Sequence, residues 1–285
     1  MRAEPRSGRC VAGWRLQRQI GQGAQSTVFL AEPVAGGPAV VLKLVDLAGA
    51  DERARQAFLA CADTARRLVH PGIVAVLGAG VEDALGWLAM EAVRGINLGR
   101  YTQPARLLPE PLVLHVAEVV AGALEHAHRQ GVVHRDVKPA NILAHWPSDT
   151  IKLADFGLAR AADADQTATG VVPGSPAFMA PEQLAGSVPT PASDFYALGV
   201  TLFQLLTGRL PHEAETLGEL LRRVSSQPAP DLRTCRPDLP APLAGLVAGL
   251  LAIDPACRPG GPALRQALQR ALHPAQGADS GAKSR

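Results

Sequence analysis

The sequence predicts an α+β protein with two lobes, a small β-rich N-terminal lobe and a larger helical C-terminal lobe. From Trp14 to Met90, short apolar runs alternate with Gly and Pro residues, a pattern typical of strands joined by turns. Beyond Arg94, apolar residues recur at spacings of three and four, which is typical of helices. Because the two patterns occupy separate parts of the chain, a hinge is expected near 91–95.

The first lobe is expected to contain four strands and one helix. Each short apolar run between turn residues predicts a strand, at 28–31, 39–45, 73–77 and 87–90. Asp51 is suited to be the N-cap of a helix that continues to Leu68. The apolar residues of this helix share one face, and they are Phe58, Cys61, Ala62, Ala65 and Leu68.

The second lobe is expected to contain two long helices. Pro111 opens an apolar stripe that Gly131 is placed to end. The segment 193–207 is apolar nearly all round and stops at Gly208, which is typical of a helix buried in a core. The predicted domain boundaries are an N-terminal extension (1–13), the first lobe (14–92), the second lobe (93–270) and a disordered tail (271–285).

The composition excludes several classes of protein. With 285 residues, 47% hydrophobic residues and a net charge of +2, the chain is predicted to be globular rather than disordered. Only 4% of the residues are aromatic and the arginines are dispersed, which argues against nucleic-acid binding. The four cysteines lie far apart and form no Cys-x-x-Cys pair, so reduced thiols are favoured over a zinc site.

The sequence also gives an expectation about location. The longest apolar stretch, 239–253, contains two prolines and is shorter than the roughly 20 residues that a membrane span requires. The N-terminus carries arginines but no apolar core, so it does not match a secretory signal. We therefore expect a cytoplasmic protein with no membrane partner.

Two segments of the first lobe have residues suited to phosphate binding. Gly21 and Gly23 lie in a turn between candidate strands, where missing side chains would let backbone N–H groups approach phosphate oxygens. A plain surface turn is the alternative, because Ser26 replaces the third glycine of a G-x-G-x-x-G pattern. Lys43, one of only four lysines, lies in an otherwise apolar strand. Its ammonium is expected to face an anion in a cleft, unless it extends to solvent from the strand end.

The most informative segment is 134–141, His-Arg-Asp-Val-Lys-Pro-Ala-Asn, followed fourteen residues later by Asp-Phe-Gly at 155–157. Further on come Ala-Pro-Glu at 180–182, Asp194 and Arg258. With these motifs in this order, the sequence resembles the eukaryotic-type protein kinase family, and most closely its Ser/Thr kinases from bacteria. The resemblance covers nearly the whole chain and implies the two-lobed protein kinase fold.

The resemblance implies a role for each matched polar residue. Asp136 would accept the proton of the acceptor hydroxyl, and Lys138 would balance charge near the γ-phosphate of ATP. Asn141 and Asp155 would hold Mg²⁺, with Mn²⁺ as an alternative, and Lys43 would bind the α- and β-phosphates. Asp194 and the pair of Glu182 with Arg258 are expected to be structural.

The resemblance also implies an adenine site. Met90 corresponds to the gatekeeper, and backbone groups of Glu91 and Val93 would bond the edge of the base. The residues expected to sandwich the ring are apolar, and they are Ile20, Val28, Val41 and Leu143. Val41 replaces a smaller alanine that is common at this point, so the roof of the pocket is expected to be tight.

Regulation is expected at two threonines, Thr167 and Thr169, in a polar stretch before Ser175. A phosphate there could bind Arg135, which directly precedes Asp136, and order the segment by charge-assisted hydrogen bonds. The expected partners are protein substrates with Ser or Thr hydroxyls and an activating protein.

One departure from the family divides the functional hypotheses. In similar kinases a glutamate at the position of Cys61, counted from Phe58 or from His70, pairs with the strand lysine. Asp63 is the nearest carboxylate, but it lies about 200° further round the helix. The hypotheses are therefore an active Ser/Thr kinase with weak or partner-dependent turnover, or an ATP-binding pseudokinase with a scaffold or allosteric role. A small-molecule kinase of the aminoglycoside type is disfavoured, because kinases of that type have no lysine at the position of Lys138 and no Ala-Pro-Glu segment.

Overall fold

The computed structural model describes residues 7–23, 26–156 and 175–272. These residues form two compact units. The N-terminal unit contains the described residues up to Arg94, and the C-terminal unit contains Gly95–Phe156 and 175–272. The predicted α+β arrangement is confirmed, with strands concentrated in the first unit and helices in the second.

The N-terminal unit is built on one antiparallel sheet with the strand order β1-β2-β3-β4-β6-β5. Its strands are β1 (Cys10–Val11), β2 (Trp14–Gln22), β3 (Ser26–Pro33), β4 (Val40–Asp46), β5 (Val76–Glu82) and β6 (Leu85–Glu91). Successive side chains of β4 point to opposite faces of the sheet. Leu42 and Leu44 lie on one face, in a core with Phe29 and Leu16. Val45 points to the other face and packs in a second core, which helix α1 covers.

Strand β1 lies inside the predicted N-terminal extension. It pairs with β2 through a two-residue turn, in which Ala12 and Gly13 have φ angles of +49° and +82°. Turns with two positive φ angles match the twist of a hairpin, which explains the glycine. Val11 is 2% exposed, and the Ala12 amide donates to Glu82 Oε2 at 2.5 Å. Residues before Trp14 therefore belong to the fold of this unit.

Helix α1 (Glu52–Arg66) begins as predicted, because Asp51 caps it by accepting a hydrogen bond from the Ala54 amide at 2.8 Å. The predicted strand at 73–77 is displaced, since β5 begins only at Val76. Ile73 and Val74 are buried, but Ile73 forms only an isolated bridge and neither residue belongs to a strand. Buried turns of this kind imitate strands in sequence.

The C-terminal unit is mainly helical. Its helices are α2 (Glu110–Arg129), α3 (Pro181–Leu184), α4 (Pro191–Thr207), α5 (Leu217–Ser226), α6 (Leu232–Cys235), α7 (Ala241–Leu250) and α8 (Gly261–Leu272). Both predicted long helices are present, and Gly131 and Gly208 follow their ends with φ angles of +74° and +73°. Helix α4 is buried nearly all round and packs against α2 and α7.

A small antiparallel sheet completes the C-terminal unit, with the strands β7 (Ile96–Asn97), β8 (Ile142–His145) and β9 (Thr150–Leu153) in that order. The loop 133–141 enters β8 through a 3₁₀ turn at Pro139–Asn141, and the segment 154–156 leaves β9. Two of the predicted motifs are thereby held at the ends of neighbouring strands. Within the three described ranges, no helix is both long and apolar enough to cross a membrane.

Candidate active site

A cluster of polar side chains lies on the loop 133–141 of the C-terminal unit. The Lys138 ammonium lies 2.9 and 2.7 Å from the two carboxylate oxygens of Asp136. The same ammonium donates to the Ser175 hydroxyl at 3.0 Å. Both members of the ion pair are about one-fifth exposed, so the carboxylate and the ammonium are fixed yet remain accessible to another molecule.

Asn141 fixes the Asp136 carboxylate from the other side. Its amide nitrogen donates to Asp136 O at 2.8 Å and to Asp136 Oδ2 at 2.9 Å. Because Nδ2 is used in this way, Oδ1 of Asn141 is the atom that can face a cation. The Asn141 carbonyl also accepts from the Ala154 amide at 2.8 Å, which ties the loop to the residue before Asp155.

Asp194, in the first turn of α4, anchors the backbone of the loop. Its carboxylate accepts hydrogen bonds from the amides of His134 and Arg135, both at 2.8 Å. Its Oδ2 also lies 2.8 Å from Nε2 of His128 on α2. Arg135 has a φ of +73°, a strained value for a residue with a side chain. The carboxylate, only 1% exposed, stabilises this conformation directly before Asp136.

The segment at 154–156 is held by His134. The ring of His134 lies edge-on to Phe156, with centroids 4.5 Å apart, and its Nε2 lies 2.8 Å from the Ala154 carbonyl oxygen. Asp155 lies between these two contacts and has a φ of +66°. A second strained residue is therefore fixed by contacts on both sides, as is common at functional sites.

Glu182 and Arg258 form a bidentate ion pair, with N–O distances of 2.7 and 2.8 Å. The Arg258 side chain is completely buried and also donates to three backbone carbonyls. Burial opposes the charged carboxylate, but the hydrogen bonds and charge of Arg258 outweigh it and hold the pKa of Glu182 below its ordinary value. The pair ties α3 to the loop after α7, as expected for a structural role.

In the N-terminal unit, strand register brings several of the predicted residues to one face of the sheet. Lys43 is opposite Val28 on β3 and Leu88 on β6, and Val41 is opposite Met90. Residues directly opposite each other in an antiparallel pair point to the same face. Lys43 and Val41 alternate with Leu42 and Leu44, which point into the first core. They therefore lie on the opposite face of the sheet, the face that carries Val45 and the second core.

The described residues on either side of the Gly-rich turn pair strand β2 with strand β3. Gly21 is opposite Val28, and the Gly23 amide donates to the Ser26 carbonyl at 2.7 Å. A Cβ at Gly23 would lie 2.9 Å from Ser26 Oγ, so a side chain there would require the Ser26 hydroxyl to rotate away. Ile20, which precedes the turn, is 44% exposed.

Helix α1 is positioned by Phe58, which packs against Gly86 of β6 so closely that a Cβ at Gly86 would lie 2.9 Å from its ring. Gly86 is opposite Val45, two residues from Lys43 on the same face of the sheet. Cys61 lies about one turn after Phe58 and is partly buried, whereas Asp63 is exposed. A thiol therefore lies one turn beyond the residue that packs on this face of the sheet, and the Asp63 carboxylate is exposed.

A model of the protein kinase domain matches residues 14–272 of the sequence. The chain belongs to the protein kinase family. Membership implies the use of ATP and a divalent metal ion, and it explains why the kinase motifs of the sequence lie at the ends of neighbouring strands.

Several relatives of this kinase are described. It is 34% identical over 252 residues to the serine/threonine-protein kinase PrkC of Bacillus subtilis, covering 87% of this chain and 39% of that protein. It is 38% identical over 268 residues to PknJ of Mycobacterium tuberculosis, covering 90% and 44%. The crystal structure of the PknI kinase domain of M. tuberculosis superposes with a TM-score of 0.73 at 33% identity, covering 95% and 99%. The kinase thus spans less than half the length of these two curated relatives.

Some predicted positions fall outside the described residues of the kinase, namely Thr167, Thr169 and the glycine at 157. Leu143 lies on β8 in the C-terminal unit, and Val93 lies near the end of the N-terminal unit. Glu91 uses its amide to bond the Ala75 carbonyl and its carboxylate to accept from the Ala75 amide.

Sequence reasoning missed two residues of the kinase site. Ser175 was seen only as a neighbour of the Ala-Pro-Glu segment, although its hydroxyl accepts from Lys138. Its signal was its place directly before a proline and close to a matched motif. His128 gave no signal beyond its position near the end of α2, because its contact with Asp194 joins residues 66 positions apart.

Proposed function

We propose that this chain is a Ser/Thr protein kinase, which transfers the γ-phosphoryl group of ATP to Ser and Thr hydroxyls of proteins, itself included. The observation that carries the proposal is the cluster of Asp136, Lys138 and Asn141, in which a carboxylate is oriented by an ammonium and an amide. The names of the relatives PrkC and PknJ support the Ser/Thr class. Because the chain covers less than half of those proteins, their substrates and partners do not transfer to it.

The proposed chemistry depends on orientation and charge more than on covalent steps. Asp136 accepts the proton of the acceptor hydroxyl, and the bond from Asn141 keeps its carboxylate in one orientation. Lys138 neutralises charge that develops on the transferred phosphoryl group. Ser175 keeps the Lys138 ammonium beside Asp136 by accepting a hydrogen bond from it. This arrangement favours a hydroxyl nucleophile on a protein substrate.

Asn141 and Asp155 are the proposed metal ligands. Amide and carboxylate oxygens are the donors that Mg²⁺ prefers, and Asn141 presents Oδ1 because its nitrogen is used by Asp136. The described residues contain no cluster of three or more His, Cys, Asp or Glu side chains suited to a metal. Two protein ligands suit a metal ion that is also coordinated by the phosphates of a nucleotide. Mg²⁺ or Mn²⁺ bound with ATP would neutralise negative charge on those phosphates.

The proposed ATP site uses residues that the sequence predicted. Gly21 and Gly23 would cover the phosphates with backbone N–H groups, and Lys43 would bind the α- and β-phosphates. The backbone of Glu91 and Val93 would bond the adenine edge, with Met90 as gatekeeper. The remaining apolar residues proposed to contact the base are Ile20, Val28, Val41 and Leu143.

The regulatory part of the proposal rests on sequence. Phosphorylation of Thr167 or Thr169 would raise activity by binding to Arg135, whose strained backbone lies directly before Asp136. We further propose a cytoplasmic location and an activating protein partner. Intact-mass spectrometry after incubation with ATP and metal, and assay of the double variant Thr167→Ala/Thr169→Ala, test this regulation.

A phosphoryl-transfer assay tests the function. The whole chain is incubated with γ-labelled ATP, with MgCl₂ or MnCl₂, and with casein as acceptor, and phosphoserine and phosphothreonine are separated after acid hydrolysis. Asp136→Asn should reduce transfer by more than about a hundredfold without loss of nucleotide binding. Asp149→Asn is the matched control, since Asp149 is exposed on the β8–β9 turn. Equal activity of Asp136→Asn and the wild type would refute the role of Asp136.

A pseudokinase is the second candidate, and the observation that favours it is Cys61 at the α1 position where similar kinases have the glutamate that pairs with the strand lysine. This candidate predicts nucleotide binding by calorimetry together with no label transfer under any metal. Transfer that depends on Asp136 would exclude it.

A further inference from the structure

Three exposed arginines lie close to one another beside the catalytic loop of the C-terminal unit. Arg100 is on a 3₁₀ turn at Leu98–Tyr101, Arg106 ends a second turn at Pro104–Arg106, and Arg209 follows the end of α4. We call these three residues the basic surface. Two of the three arginines are close in sequence, and the third is about a hundred residues away. In the sequence they therefore look dispersed and form no basic stripe.

Two close backbone contacts bring this surface together and place it beside the catalytic loop. Gly208 lies against the second turn so tightly that a Cβ there would lie 2.6 Å from the Pro104 nitrogen, which puts Arg209 next to that turn. Gly99 lies against the catalytic loop, where a Cβ would lie 3.7 Å from the Cα of Ala140. The first turn also packs on the 3₁₀ turn at Pro139–Asn141. The basic surface therefore borders the loop that carries Asp136.

The arginines of the basic surface form no ion pair with the described residues around them. The sequence from 92 to 109 contains three arginines and no Asp or Glu. In the described part of the chain, none of the three guanidinium groups of the basic surface forms an ion pair or a hydrogen bond. Other arginines of the same unit do have carboxylate partners, and they are Arg129, Arg223, Arg236, Arg258 and Arg265.

A guanidinium without an internal partner contributes little to folding, but it can attract an acidic ligand over a Debye length of about 8 Å at physiological salt. Because the surface borders the loop that carries Asp136, it lies along a path that a peptide with its hydroxyl at that carboxylate can take. Arginine is also the residue best suited to bidentate contacts with carboxylates.

We propose that the basic surface binds Asp and Glu side chains that flank the acceptor hydroxyl of a protein substrate, so that the enzyme prefers acidic substrate sequences. The inference rests on the proposed kinase function and adds the class of substrate to it. Three exposed ion pairs of ordinary strength together correspond to roughly a tenfold change in kcat/KM. The preference should weaken as salt rises, because exposed pairs are screened.

The test uses three peptides with one serine acceptor and with Glu, Gln or Lys at the flanking positions. For the wild-type chain, kcat/KM should be about tenfold higher for the Glu peptide than for the Gln peptide, and lowest for the Lys peptide. In the variant Arg100→Gln/Arg106→Gln/Arg209→Gln, the ratio of Glu to Gln should fall towards one. The control Arg222→Gln/Arg233→Gln/Arg270→Gln removes three exposed arginines elsewhere in the same unit and should retain the preference.

Fluorescence anisotropy with labelled peptides measures binding without turnover. The Glu peptide should bind the wild type and the control more tightly than the triple variant, and this difference should shrink between 50 and 500 mM salt. If no peptide is phosphorylated but this binding difference is present, the proposed catalysis fails and the basic surface stands. Equal use and equal binding of the three peptides, or the same loss in the control, would overturn the inference.

Discussion

In the proposed kinase, the catalytic loop and helix α1 both have to position a charged side chain for phosphoryl transfer, and they do so by different means. In the loop, Asp136 contacts Lys138 and Asn141, and the adjoining backbone is bonded to the buried carboxylate of Asp194. On α1, Phe58 packs on the face of the sheet that carries Lys43, and Cys61 lies one turn further along the helix. The loop is held by hydrogen bonds and an ion pair at several points, whereas the helix is held mainly by the apolar packing of Phe58.

The difference predicts which substitutions destabilise the protein and which change only its rate. Buried polar networks are costly to break, because each lost partner leaves another group unsatisfied. A position defined by apolar packing can exchange one side chain for another of similar size at smaller cost. We therefore expect substitutions around the loop to abolish activity and stability, and substitutions at Cys61 to change the rate.

The largest effect is expected for Asp194→Ala. The change leaves the amides of His134 and Arg135 and the ring of His128 without their acceptor in a buried site. The free energy of unfolding should fall by about 3–5 kcal/mol, and phosphoryl transfer should fall more than a hundredfold, since Arg135 loses the support for its strained backbone. Urea unfolding and the transfer assay measure the two effects.

Asp238→Ala is the control for that experiment, because Asp238 is exposed and pairs only with Arg236. It should cost less than about 1 kcal/mol. If Asp194→Ala were as stable and active as this control, the catalytic loop would not depend on its buried anchor, and the contrast with α1 would disappear.

The next largest effect is expected for Cys61→Glu, in the opposite direction. A carboxylate at this position would meet the face of the sheet that carries Lys43 and could hold the ammonium in one orientation. We expect kcat to rise by about tenfold to a hundredfold, because poor positioning of a catalytic group costs a factor of that order. Steady-state kinetics with varied ATP would separate kcat from KM.

Cys61→Gln is the matched control, with the same shape as glutamate and no charge. It should leave kcat near the wild-type value. A rise with both variants would assign the effect to packing rather than charge. An unchanged or lower kcat with Cys61→Glu, together with ordinary kinase rates in the wild type, would show that another group positions Lys43.

The catalytic loop and helix α1 also differ in how much of their structure could be predicted from the sequence. Asp136, Lys138 and Asn141 lie within six residues, so one motif predicted a cluster that the structure brings together. Helix α1 and its cap followed from periodicity and from Asp51. The partners Ser175 and His128 could not be predicted in this way, because hydrogen bonds between residues 37 and 66 positions apart leave no local pattern.

Strand β1 provides a smaller test of the N-terminal unit. Val11 is buried, the Gly8 amide bonds the Leu16 carbonyl, and the Ala12 amide bonds Glu82 on β5. Removal of residues 1–13 should lower the free energy of unfolding by about 2 kcal/mol, the sum expected for one buried valine and a few exposed hydrogen bonds. A chain that lacks only residues 1–6 separates the contribution of β1 from that of the preceding residues. Equal urea midpoints for the two truncated chains would show that β1 does not stabilise the sheet.

The smallest effect is expected at Thr201, the exception to the dense polar network of the C-terminal unit. It lies two turns after Asp194 on α4, and in the described chain its Oγ1 is a buried side-chain atom without a hydrogen-bond partner. Burying an unsatisfied hydroxyl costs about 1 kcal/mol or more, so Thr201→Val, which keeps the shape and removes the hydroxyl, should raise the free energy of unfolding by about 1 kcal/mol. Thr201→Ala, which also removes the hydroxyl but leaves a cavity, should give no such gain. Urea unfolding of both variants decides the point: a loss of stability with valine would mean that the hydroxyl is bonded in the folded protein, and that α4 is satisfied at Thr201 as fully as it is at Asp194.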